Sequence, residues 1–129
     1  MKNPTYCLLI DDDNDDKDFF NLALRKVCPD AILHYSPSGT DAIENLRSGN
    51  YKPDYIFLDL NLTPASGLEV LAEIKKIPTC TDIPVIIYSG TINEGVKYKT
   101  LSLGAYDHFE KPSSQAELEA CLKRILQVK

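Results

Sequence analysis

Tyr6-Cys7-Leu8-Leu9-Ile10-Asp11-Asp12 is a short apolar run that ends in two carboxylates. A short, continuous apolar run of this kind reads as a strand buried on both faces. The pattern recurs downstream. Tyr55-Ile56-Phe57-Leu58 ends in Asp59, and the segment from Tyr106 to Glu110 ends in Lys111-Pro112. If these runs are neighbouring parallel strands, their C-terminal ends bring at least three carboxylates and one ammonium together. Carboxylates packed that closely cannot all stay ionised without a cation or a proton. The arrangement suggests a divalent metal site with a lysine beside it, a combination suited to phosphoryl chemistry.

Outward from these runs, the chain alternates strand and helix. A helix is predicted over 15–28, with Phe20, Ala23, Leu24 and Val27 on one face at i, i+3, i+4, i+7 spacing. Asp15, Asp16 and Asp18 fall in its first turn, where the helix dipole favours them. Residues 31–35 read as a weaker strand at a sheet edge. A helix capped by Thr40 runs to about Arg47 and stops at Ser48-Gly49-Asn50. A strong strand over 54–58 is followed by a loop over 61–66 and a helix over 67–77. Residues 84–88 form a Val- and Ile-rich strand that leads into Ser89-Gly90. The helix over 93–103 is weakened by Gly95, and a short strand over 106–109 follows. Ser114-Gln115-Ala116-Glu117 is a capping box that opens a final helix. Five β-α units joined by short connections imply an α/β fold, a doubly wound parallel sheet (βα)5 with right-handed crossovers. Ligands of such sheets sit outside the carboxyl ends of the strands, where Asp11, Asp12, Asp59, Ser89 and Lys111 all fall.

Composition narrows the function. A chain of 129 residues fits one domain, 1–129, and leaves no room for a separate DNA-binding module. The net charge of -5 argues against a nucleic-acid surface. There is neither a signal-peptide layout nor an apolar stretch near the roughly 20 residues that span a bilayer, so the expectation is a soluble, cytoplasmic protein away from the membrane. Cys7, Cys28, Cys80 and Cys121 contain no C-x-x-C pair and read as reduced thiols used as small hydrophobes.

These residues together resemble the receiver domain of bacterial two-component response regulators, the fold of the chemotaxis response regulator. The acidic pair Asp11-Asp12, the lone Asp59, Ser89-Gly90 and Lys111-Pro112 carry the resemblance, with Gly67 and Gly104-Ala105 in support. It covers nearly all of the chain and implies a flavodoxin-like strand order 2-1-3-4-5. It also implies Asp59 as phosphoacceptor, Asp12 and Asp59 as Mg2+ ligands, Asp11 holding metal-bound water, and the Asn61 carbonyl as a further ligand. Lys111 would pair with Asp59 and then with the phosphoryl group, which the Ser89 hydroxyl would also bind. The Lys111–Pro112 bond would be cis. The implied donor is a sensor histidine kinase or a histidine phosphotransfer protein. The downstream protein target stays unidentified, and a dimer formed on phosphorylation is compatible with the family. The output face would be the fourth helix, fifth strand and fifth helix.

Two positions depart from the family pattern. Thr63 stands where many receivers have proline, and Pro64 follows it, so the loop beside the metal is expected to differ in shape. His108 stands where the switch aromatic is usually Tyr or Phe, and its charge can follow pH. Asp13, Asp15, Asp16 and Asp18 read as solvated helix-start charges with no chemistry. An EF-hand reading of 11–22 fails, because its sixth position is Asp16 rather than Gly and its twelfth is Leu22 rather than Glu. Two alternatives remain: an interaction module that no longer uses phosphorylation, and an aspartyl phosphatase with Asp11 as nucleophile.

Overall fold

The computed structural model describes residues 4–90 and 92–127. Five strands, β1 (Tyr6–Ile10), β2 (Ile32–Ser36), β3 (Tyr55–Leu58), β4 (Val85–Ser89) and β5 (Asp107–Glu110), alternate with five α-helices. These are α1 (Asn14–Val27), α2 (Gly39–Ser48), α3 (Gly67–Lys76), α4 (Glu94–Ser102) and α5 (Gln115–Leu126). All pairings are parallel and the sheet order is β2-β1-β3-β4-β5, as the resemblance implied.

Burial explains the order. β4 is buried at every position, and β1 and β3 at every position after the first, which suits central strands with both faces covered. β2 is exposed or half-buried until Ser36, in keeping with its place at the edge. Side chains alternate across the sheet. Leu8, Ile10, Ile56, Leu58, Val85 and Ile87 pack on one face with Leu46, Leu71 and Ile74 of α2 and α3. Leu9, Phe57, Ile86 and Tyr88 pack on the other with Phe20, Leu24, Leu118 and Leu122 of α1 and α5. Each such fully buried side chain contributes roughly 1.5–3 kcal/mol relative to exposure. The ring of Phe20 meets Phe57 at 4.9 Å and Tyr88 at 5.4 Å, edge to face.

Helix ends follow side-chain chemistry. Asp13 caps α1 by accepting from the N–H groups of Asp15 and Asp16. Ser38, rather than Thr40, caps α2, because its hydroxyl faces the Asp41 N–H at 3.2 Å. Ser66 and Glu69 form a full capping box on α3, which the sequence reading passed over. On α5 the Ser114 hydroxyl accepts from the Glu117 N–H, as the expected box requires, and donates to the Glu117 carboxylate. α4 does form despite Gly95, but its apolar residues do not share one side. Val96 packs on the core, whereas Tyr98 and Leu101 are exposed. Cys7 and Cys80 are buried and Cys28 and Cys121 half-buried, all as free thiols. Burial pushes the Cys7 thiol up to about 12, which keeps it protonated and inert.

Candidate functional site

Strand register assembles the site. Ile10 of β1 pairs with Leu58 of β3, so Asp11 and Asp59 leave adjacent strands side by side. The Asp59 N–H donates to the Ile10 carbonyl at 3.0 Å and fixes that junction. Ser89 pairs with Glu110, and the Lys111 N–H then donates to the Ser89 carbonyl at 2.8 Å. Four strand ends therefore open on one crevice. Asp11, Asp59 and Ser89 are buried in it.

Asp59 is fully engaged. Its Oδ1 accepts from the Ser89 hydroxyl and from the Asn61 N–H, each at 3.0 Å. Its Oδ2 accepts from Lys111 Nζ at 3.0 Å. Asp11 Oδ1 accepts from the Asp13 N–H at 3.0 Å. Asp11 Oδ2 lies 2.9 Å from Lys111 Nζ, an ion-pair distance, but the contact is not aligned as a hydrogen bond and this buried oxygen accepts none. Gly67 brings the start of α3 down onto the site. Its N–H donates to the Leu60 carbonyl at 3.0 Å, and a Cβ placed on it would lie 2.4 Å from the Asp59 carbonyl oxygen.

Three findings differ from the sequence reading. The first is Asp16, read as a solvated helix charge. It is half-buried, and its Oδ2 accepts a hydrogen bond from Lys111 Nζ. Among the described residues, carboxylate oxygens of Asp11, Asp16 and Asp59 lie within 4.8 Å of one another. A signal for this was present. Asp16 precedes Phe20 by one helical turn, so it continues the buried stripe of α1 back to the sheet end. The second is Asp12, which is exposed and stands outside that group. Successive residues at a strand end point to opposite sides, and Asp11 takes the buried one. The third is Lys111–Pro112, which is not cis; the cis bond among the described residues is Thr63–Pro64. The β5 hydrogen bond to Ser89 carries Lys111 to the crevice without it. His108 is half-buried in β5, opposite Ile87. Asn61 is exposed at the crevice mouth, tied in through its N–H.

The electrostatics are lopsided. Three carboxylates face one ammonium. For Lys111, burial alone would lower the pKa, but the carboxylates of Asp16, Asp11 and Asp59 outweigh it and keep the lysine charged. For Asp11, burial raises the pKa to about 6, only partly offset by Lys111 and the Asp13 N–H. All the donors are carboxylate oxygens, one of them buried without a hydrogen bond, and they leave an excess of negative charge. That set fits a hard divalent cation such as Mg2+.

The raised Asp11 value has a sign that can be tested. The folded carboxyl, at about 6, holds its proton more tightly than the ordinary carboxyl at 3.8. Its contribution to stability is therefore full below the ordinary value and is lost as pH rises through the folded value. Metal-free protein should thus gain on the order of 1 kcal/mol from this residue on acidification from neutrality to pH 5. Thermal melts in chelator across that range check it. Asp11→Asn should flatten the response, and a wild-type curve no steeper than the variant's would refute it.

Comparison with known proteins agrees with the geometry. The sequence model described as response regulator receiver domain matches residues 7–123. The 3',5'-cyclic-nucleotide phosphodiesterase regA of Dictyostelium discoideum is 30% identical over 128 residues, 93% of this chain and 15% of that protein. The phosphate regulon transcriptional regulatory protein PhoB of Pseudomonas aeruginosa is 40% identical over 75 residues, 58% of this chain and 33% of that protein. The chain spans about a third or less of the length of the curated relatives it matches. The phosphorylated cyanobacterial phytochrome response regulator RcpA superposes with a TM-score of 0.85 at 30% identity, covering 95% of this chain and 91% of that one. The Mn2+-bound form of response regulator Rcp1 gives 0.82 at 28% identity, with coverage of 95% and 91%. With a match that runs from β1 into α5, the chain belongs to the response regulator receiver domain family of two-component systems.

Proposed function

We propose that this domain accepts a phosphoryl group on the Asp59 carboxylate from the phosphohistidine of a sensor histidine kinase or phosphotransfer protein. The observation that carries the reading is the environment of Asp59. It is a buried carboxylate with a hydroxyl and an amide N–H on one oxygen and an ammonium on the other. An Asp59 oxygen attacks phosphorus, the P–N bond to the donor imidazole breaks, and its electron pair stays on that nitrogen. Lys111 and the Ser89 hydroxyl then turn their hydrogen bonds from the carboxylate to the phosphoryl oxygens. They stabilise charge where it develops, without a general base.

Asp11 and Asp59 would hold Mg2+, with Asp12, the Asn61 carbonyl and water completing its oxygen shell. There a divalent cation would supply positive charge against that developing on the transferring oxygens. RcpA is described as phosphorylated and Rcp1 as Mn2+-bound, and both support the reading by likeness. The phosphatase alternative is disfavoured because it leaves Asp59, on which the hydroxyl, the amide N–H and the ammonium converge, without a role. Signalling would leave through α4, β5 and α5, where Tyr98, Leu101 and Tyr106 are exposed.

The test is mass measurement after incubation with acetyl phosphate. One hydroxylamine-labile phosphoryl group should appear with Mg2+ and be lost with chelator, and mapping should place it on Asp59. An unchanged mass would favour the phosphorylation-independent interaction module. A group mapped to Asp11 would favour the phosphatase.

A further inference from the structure

Asp16 belongs to the acidic group but takes no role in the phosphoryl transfer proposed above, and it makes one of the aligned hydrogen bonds of Lys111. The lysine has three N–H donors. Its hydrogen bonds go to Asp16 Oδ2 and Asp59 Oδ2, while Asp11 contributes charge at 2.9 Å. The Tyr88 ring closes another side, its centroid 5.4 Å from Nζ. The ammonium is thus held from α1 as well as from the strand ends. A phosphoryl group carries about one more negative charge than the carboxylate it replaces, and it needs the lysine donors. Asp16 keeps a donor for itself and adds negative charge to the same pocket.

We propose that Asp16 is a positioning residue that tethers Lys111 to α1 and competes with the phosphoryl group for its ammonium. The pocket then holds a phosphoryl group more weakly than Lys111 freed of Asp16 would hold it. This rests on Asp59 being the phosphoacceptor.

Beryllofluoride, a phosphoryl mimic, is titrated at saturating Mg2+ and fixed ionic strength into wild type, Asp16→Asn and Asp15→Asn. The exposed Asp15 is a charge-matched control on the same turn. Asp16→Asn should bind about three- to tenfold more tightly, the range expected for losing one partly exposed charged partner. Asp15→Asn should change by less than about twofold. In 15N-lysine NMR without beryllofluoride, the Lys111 ammonium should be slow to exchange in wild type and fast in Asp16→Asn. Equal or weaker binding by Asp16→Asn, an equal gain in Asp15→Asn, or an unaltered Lys111 signal would each overturn the tether. If wild type itself takes neither beryllofluoride nor phosphate on Asp59, the reading of Asp59 has failed and this inference falls with it.

Discussion

Asp59→Asn should lose all acetyl-phosphate-dependent labelling while melting at or above the wild-type temperature. An amide is a poor nucleophile, so the phosphoryl gain should fall to background. With its oxygen at Oδ1 the amide still accepts from Ser89 and Asn61, and it gives up the Oδ2 hydrogen bond from Lys111, which keeps Asp16 and Asp11 as partners. The change also removes one of three carboxylates that face a single ammonium. Less like-charge repulsion means equal or greater stability, as expected where a site is built for chemistry rather than for folding. Mass spectrometry and a melting curve on one sample separate the two effects. Labelling equal to wild type would remove Asp59 from its role. A large fall in melting temperature would show that the carboxylate is structural instead.

Gly67→Ala should be the most damaging of the small substitutions near the site. The added methyl would lie 2.4 Å from the Asp59 carbonyl oxygen and 2.4 Å from the Leu60 Cα, both backbone atoms. Neither can yield cheaply. Asp59 is pinned by its N–H to Ile10, and α3 is pinned at Ser66 by its capping box. Overpacking against a fixed backbone costs about 3 kcal/mol, which lowers the melting temperature by roughly 10 °C in a domain of this size. Gly90→Ala is the control, because a methyl there meets nothing within 4 Å and should change stability by no more than about 0.5 kcal/mol. Similar melting of the two variants would refute the steric argument.

Much of this was legible in the sequence because the central strands are written as unbroken apolar runs. β1, β3 and β4 are buried on both sides and need no periodicity to be seen, and each announces its end with Asp11, Asp59 or Ser89. β2 showed its edge position by its weaker run, and the structure leaves its first residues exposed or half-buried. Asp16 was not legible on the same terms. Five aspartates crowd 11–16, and what separates them is helix rotation. Asp13 is used up as the cap, Asp15 faces solvent, and Asp16 alone falls above Phe20. Asp12 lies outside that group for the related reason that neighbours at a strand end face opposite ways. The Ser38 cap was missed because Ser38 and Thr40 both suit a helix start by type, and backbone geometry decides between them.

The hydrogen bonds that build the crevice also set a timetable. They join residues 30, 52 and 95 positions apart, and Gln115 reaches back 96 positions to the Phe19 carbonyl. Such distant partners meet late, after the local helices have formed. On a ribosome, Asp11, Asp16 and Asp59 emerge well before Lys111, and until it arrives they have only solvent cations to quiet them. A nascent chain that has made β1 to β4 therefore holds the Asp59 carboxylate without the ammonium that pairs with it. On the reading proposed for Asp59, the crevice would be complete for phosphoryl transfer only once the fifth strand has docked and brought Lys111 beside it.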